Sequence, residues 1–183
     1  HLTCKRCEKN DRDHSEELND TGDFRVLEVD LERYGNSGCS TLHTDDGRGI
    51  LMLSDGMGTG ARAGAMSRRA LELVGSFVQS GCGLAESTAA VLPVLAARFE
   101  EWGFVTLDLW EISLFTGSAA VLKYGAAPGF LLREGRLTRL DARALPAGLE
   151  PMEGEAPTLH LRLREGDRLV LLSDGVWEGG STE

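Results

Sequence analysis

No apolar run in this 183-residue sequence reaches the roughly 18 to 20 residues that a membrane-spanning helix needs. Its first residues are polar and charged, without the basic-then-apolar pattern of a secretion signal. The segment therefore reads as cytoplasmic, making no membrane contact itself, and any anchor of a full-length parent lies outside it. Basic residues are in deficit, with 19 Lys and Arg against 29 Asp and Glu and a formal net charge of −10. Nucleic-acid partners depend on basic surfaces that neutralise phosphates, so none is expected; an acidic chain attracts cations instead. Cysteines are few and uneven: Cys4, Cys7, Cys39 and Cys82. They do not form the pattern of a secreted disulfide framework, which agrees with a reducing compartment. Cys4-x-x-Cys7 lies near His1 and His14, but a structural zinc site needs four ligands and usually shows two paired half-sites. With the second half-site missing, the pair reads as thiols and not as a metal site.

What is present is ordinary for a folded chain: 42% hydrophobic and 26% charged residues, in a length that favours one domain with a real core. Residues 1–23 are polar, with hardly any apolar periodicity, and read as a linker or N-terminal arm. Strands are expected at Phe24–Val29, around Cys39–Thr44 and at Ile50–Leu53, the last two joined across an Asp45-Asp46-Gly47 turn, whose Asp-Gly pair suits a tight hairpin. Met66, Ala70, Leu73, Val74 and Phe77 then recur at helical spacing from near Gly60 to Ser80, with Gly81 suited to the cap. A second helix carries Ala85, Ala89, Leu92, Leu95, Ala96 and Phe99 as its apolar face, with Pro93 inside it. Phe104–Leu114 is apolar on both faces, as in a strand buried between layers. Short apolar runs at Ala119–Tyr124, Phe130–Leu132, Leu137–Leu140, Leu161–Leu163 and Leu169–Leu172 follow, separated by Gly-rich turns. The order implies an α+β fold dominated by antiparallel sheet, with helices on the outside.

One short element occurs twice. Leu51-Met52-Leu53-Ser54-Asp55-Gly56 and Val170-Leu171-Leu172-Ser173-Asp174-Gly175 are each an apolar strand ending in Ser-Asp-Gly. Such strands deliver carboxylates to a sheet rim, where glycine permits close backbone approach and oxygen ligands can hold hard cations. Asp-Gly is also among the commonest ways to end a strand, so two unrelated turns are the competing reading.

Ser54-Asp55-Gly56-Met57-Gly58-Thr59-Gly60, followed by a long helix, resembles the Ser-Asp-Gly-Met-Gly-(Ser/Asn/Thr)-Gly signature of the SpoIIE family of PPM-type metal-dependent serine/threonine phosphatases. Later stretches agree in order. Thr106-Leu107-Asp108-Leu109 resembles the family's central strand, Gly125-Ala126-Ala127-Pro128 with Phe130 its Gly-Ala-Pro-type turn, and Leu145-Pro146-Ala147-Gly148 its Leu-Pro-x-Gly. Gly166-Asp167-Arg168-Leu169-Val170 leading into Ser173-Asp174-Gly175 resembles its second Ser-Asp-Gly segment. The resemblance implies an antiparallel β-sandwich flanked by helices, two Mn²⁺ or Mg²⁺ ions between the sheets, and attack of activated water on phosphoserine or phosphothreonine. By the same resemblance Asp55 and Asp174 are the catalytic residues, and Asp55, Gly56 and Asp174 are metal ligands, Gly56 through its carbonyl. The helix after Gly60 matches one thought to switch the metal site on. The implied partner is a phosphorylated regulatory protein such as an anti-sigma factor antagonist, with a homodimer left open.

The sequence also departs from the pattern. Ser37-Gly38-Cys39-Ser40 stands where the family has Ser-Gly-Asp-(Ser/Tyr), and a soft thiolate is poorly matched to Mg²⁺ or Mn²⁺, favouring Zn²⁺ instead. Asp45 and Asp46 are nearby carboxylates, but their Asp-Gly context reads as a solvent-facing turn. The family's last metal aspartate lies on a strand well downstream of the motif matched by Asp174, whereas the sequence ends at Glu183. The domain, residues 24–183, is accordingly expected to be C-terminally incomplete, without that strand and aspartate. Two functions follow: a Mn/Mg-dependent phosphatase, or a catalytically impaired phosphatase-fold module that docks a regulatory partner.

Overall fold

The computed structural model describes residues 37–58, 60–98, 103–141, 144–148 and 158–173. The strand expected at Phe24–Val29, the N-terminal arm, the Cys4/Cys7 pair and Asp174 lie outside the described residues.

β1 (Ser37–His43) and β2 (Arg48–Gly56) form an antiparallel hairpin. Gly47 has φ 78°, the left-handed conformation that glycine adopts without strain. Asp46 is solvent-facing and bound to Arg48 at 2.9 Å. This turn closes the end where His43 pairs with Gly49, whereas Asp55 pairs with Ser37 at the opposite end. Neither Asp45 nor Asp46 can therefore substitute for a ligand beside Asp55.

α1 (Ala61–Gln79) buries Ala63, Met66, Ser67 and Ala70 early and Leu71, Val74, Gly75 and Val78 later. The stripe drifts around the helix as it crosses the sheet, so Phe77, expected on the apolar face, is instead 40% exposed. α2 (Leu84–Ala97) also differs from its expected face. Leu84, Ser87, Thr88, Val91, Leu92 and Leu95 are buried, while Ala85 and Ala89 are exposed. Two polar residues can be buried because their hydroxyls donate within the helix, Ser87 to the Gly83 carbonyl at 2.8 Å and Thr88 to the Leu84 carbonyl at 2.7 Å.

β3 (Val105–Ser113), β4 (Ser118–Tyr124), β5 (Gly129–Arg133), β6 (Arg136–Leu140), β7 (Thr158–Arg162) and β8 (Arg168–Val170) complete the described elements. β7 begins three residues ahead of the apolar run read at Leu161–Leu163 and ends within it at Arg162, and β8 starts one residue before the run read at Leu169–Leu172 and stops at Val170. They build two antiparallel sheets, one ordered β1-β2-β3-β4-β7 and the other β6-β5-β8. Alternation along β2 and β3 sends Ile50, Met52, Leu107 and Leu109 toward the helices, where they pack with Val74, Val78, Leu84 and Val91. The opposite face carries Leu51, Trp110, Ile112 and Val121, which pack against Leu131, Leu140 and Leu163 between the sheets. The result is a β-sandwich with both helices on one outer face.

Candidate functional site

The first Ser-Asp-Gly segment has a physical reason for each residue. Asp55 shares its parity with Leu51, so its carboxylate points into the inter-sheet space, and the residue is only 5% exposed. Ser54 and Gly56 share the parity of Ile50 and Met52 and lie beneath α1. A methyl placed on Gly56 would collide with the Ala63 carbonyl, and one on Gly38 would come within 3.3 Å of the Arg68 amide nitrogen. Small residues at Gly38, Ser54 and Gly56 thus let the first turns of α1 settle against the rim that presents Asp55. The loop into α1 needs glycine for a different reason. Gly58 and Gly60 have φ of 90° and 87° with open space around them, so the requirement there is conformational and not steric.

The other motifs converge on the same rim. Asp55 pairs with Thr106 of β3, and its amide donates to the Thr106 hydroxyl oxygen at 2.9 Å. The Met57 amide donates to the Phe104 carbonyl at 3.0 Å, and Val105 exchanges backbone hydrogen bonds of 3.1 and 2.9 Å with Ala147. Gly125, at φ 61°, lies under Pro146 and donates to the Ala144 carbonyl at 2.9 Å. The Gly-Ala-Ala-Pro turn and the Leu-Pro-Ala-Gly segment are therefore stacked on each other at the end of the sheet that carries Asp55. β4 runs toward this rim, residues 125–128 cross to the second sheet, and β5 runs back. β8, antiparallel to β5, consequently runs toward the rim again, in the direction of Ser173.

The Asp55 carboxylate and the Gly56 backbone carbonyl beside it are oxygen donors of the kind that would suit a hard divalent cation. Cys39 does not fit such an ion. It pairs with Leu53, one step from Asp55, and its half-buried thiol lies on the same face. Among the described residues no group of three or more His, Cys, Asp and Glu side chains is placed to hold a metal, and Asp174 is not among them.

Sequence reasoning overlooked one feature. Asp108 and Lys123 face each other across β3 and β4 and form an ion pair, with exposures of 1% and 0%. The Trp110 indole N–H donates to Asp108 Oδ1 at 2.7 Å. Burial pushes the Asp108 carboxyl above its ordinary range, against the opposing pull of the Lys123 ammonium and the Trp110 donor. The available signal was a charged residue inside each of two apolar runs, Leu107-Asp108-Leu109 and Leu122-Lys123-Tyr124.

Comparison with known proteins agrees with this geometry. The family described as stage II sporulation protein E (SpoIIE) matches residues 45–183. Stage II sporulation protein E of Priestia megaterium is 32% identical over 140 residues, covering 76% of this chain and 24% of that protein. Its counterpart from Bacillus subtilis (strain 168) is 33% identical over 127 residues, covering 69% of this chain and 15% of the relative. The chain thus spans a quarter or less of the length of these relatives. The solved PP2C phosphatase domain of the cell fate determinant SpoIIE from Bacillus subtilis, with a fragment of its regulatory domain, superposes with a TM-score of 0.73. That match is 30% identical and covers 81% of this chain and 44% of the other. With its motifs gathered on one rim and its two sheets stacked as in that domain, the chain belongs to the SpoIIE family and has the PP2C phosphatase fold.

Proposed function

We propose that residues 24–183 are the core of a metal-dependent protein serine/threonine phosphatase, acting in the cytoplasm on a phosphorylated regulatory protein of the anti-sigma factor antagonist kind. The observation that supports this most is Asp55, a nearly buried carboxylate at the rim where the family's motifs converge. Asp55, Gly56 and Asp174 are the proposed holders of Mn²⁺ or Mg²⁺. The chemistry such ions supply when bound is activation of water and neutralisation of phosphoryl charge. The chain's own contribution is positional. Thr106 fixes the Asp55 backbone from the neighbouring strand, and α1 seats on Gly56, so a displacement of the helix is felt directly at the rim.

The test is hydrolysis of an aryl phosphate and of a phosphoserine protein, with and without Mn²⁺, beside Asp55→Asn. Mn²⁺-dependent turnover in the parent that falls by at least about a hundredfold in Asp55→Asn, as expected when a metal ligand is removed, supports the proposal. Equal turnover in the two proteins would sink it. The second reading, a docking module without hydrolysis, is favoured by one observation, the thiol of Cys39 facing the inter-sheet space. Absence of turnover from a folded parent that still binds the phosphoprotein selects that reading.

A further inference from the structure

A buried ion pair is a weak source of stability, because desolvation of both charges offsets their attraction, and apolar residues of similar size often serve as well. Asp108 and Lys123 therefore call for a role beyond stability. Their position suggests one. The register places Cys39, Leu53, Asp108 and Lys123 side by side across β1 to β4, one row in from Asp55 and Thr106. Lys123 reaches out of its own sheet. A methyl added to Gly129 of β5 would lie 3.7 Å from Lys123 Nζ, and 3.4 Å from both Trp110 Cζ2 and the Val170 carbonyl. The ammonium, the indole that also binds Asp108, and the last residue of β8 thus meet at the bare backbone of Gly129. These distances are ordinary van der Waals contacts, so the two sheets meet at the charged pair without strain. From Val170 the chain continues through Leu171, which packs against the inter-sheet cluster, to Ser173, the residue before Asp174 in the sequence.

We propose that the Asp108–Lys123 pair sets the register of β8 against the rim that carries Asp55, making both of them positioning residues for the site. The pair is anchored to the first sheet by Asp108 and Trp110, and it abuts the second sheet at Gly129. What is positioned rests on the phosphatase reading, but the effect on β8 can be read without it.

The experiment compares the parent with Asp108→Leu/Lys123→Met in the whole chain. Three quantities are measured: the melting temperature in EDTA, backbone amide exchange in β5 and β8 in EDTA, and Mn²⁺ affinity by loss of the free-ion paramagnetic resonance signal. Replacing both charges by apolar groups leaves the melting temperature at or near that of the parent. Exchange of the β8 amides is expected to rise about tenfold while β2 and β3 stay protected, and Mn²⁺ affinity to fall about tenfold, as for other residues that orient metal ligands. Unchanged β8 exchange in the folded variant overturns the proposal, as does Mn²⁺ affinity equal to that of a binding parent. Should the double variant not fold, Trp110→Phe removes the indole donor and keeps the charges. It is expected to shift β8 exchange in the same direction, and its failure to do so is equally decisive. A parent that binds no Mn²⁺ sinks the phosphatase reading, while the exchange measured in EDTA still decides the role of the pair.

Discussion

At Gly56 there is no room for a side chain, since any Cβ would run into the Ala63 carbonyl of α1. The obstacle is backbone, so it cannot rotate away, and Gly56→Ala must push α1 off the sheet. A loss of about 1–3 kcal/mol is expected, in the range measured for overpacking, together with weaker Mn²⁺ binding. A denaturation curve alongside a Mn²⁺ titration checks both; unchanged stability would mean that α1 is not seated on this glycine. Cys39 sits next to the same rim, and on the proposed metal reading its mismatch is one of donor softness and not of shape. Cys39→Asp is expected to raise Mn²⁺ affinity on the order of tenfold by supplying a hard carboxylate. An affinity that does not move would separate position 39 from the metal site. The repeated Ser-Asp-Gly made Asp55 visible in the sequence, because a carboxylate after an apolar strand is a local pattern. Asp108 and Lys123 were harder to see. They stand fifteen positions apart, and only the register of β3 with β4 reveals that each is the other's partner.

At the scale of elements, the turn between β7 and β8 is held by an ion pair that reaches across to β5. The Arg133 guanidinium donates to Asp167 through Nε at 2.8 Å and Nη2 at 2.6 Å, and also to the Arg162 carbonyl at 2.8 Å. The Arg164 amide donates to the same carboxylate at 2.8 Å. Arg133 holds the Asp167 carboxyl below the ordinary aspartate range. The sign follows from that depression. The contribution is fully present above the unfolded value of about 3.9 and is lost as pH falls through the lower folded value. Asp167→Asn should therefore cost about 1.5–3 kcal/mol near neutrality, as for a lost charged hydrogen bond, and the gap from the parent should close in strong acid. Paired melting curves across pH test this, and a gap independent of pH would assign the loss to packing. This arrangement gives the Gly166-Asp167 motif a structural meaning that the sequence alone did not disclose, since it depends on an arginine in another strand. The helices show the same boundary of legibility. Their existence follows from apolar spacing and the end of α1 from the glycine at 81, but α2 stops at Ala97 with no glycine beside it, and its buried face includes Ser87 and Thr88 because internal hydrogen bonds satisfy them, which an apolar-only pattern misses.

The two sheets are unequal among the described residues. The larger sheet has both faces covered, by helices on one side and by the second sheet on the other, whereas the described part of the second sheet is three short strands anchored through one apolar cluster. Among the described residues, Leu131 and Leu140, with the partly buried Leu169 and Leu171, meet Trp110 and Val121 opposite. Truncating a residue in either cluster should cost about 2–5 kcal/mol, but the two losses should be distributed differently. Leu109→Ala, beneath the helices, removes support from the central strands and should lower amide protection throughout. Leu131→Ala should instead open β5, β6 and β8 at a lower free energy than β2 and β3, because local opening follows the poorly covered elements first. Native-state hydrogen exchange on the two variants distinguishes these patterns, and an equal loss of protection in both sheets for Leu131→Ala would show that they unfold as one unit. The consequence for function lies in the distribution of the site. Asp55 is carried by the larger sheet, so an opening of the second sheet is expected to draw β8 away from the rim without unfolding the strand that holds Asp55.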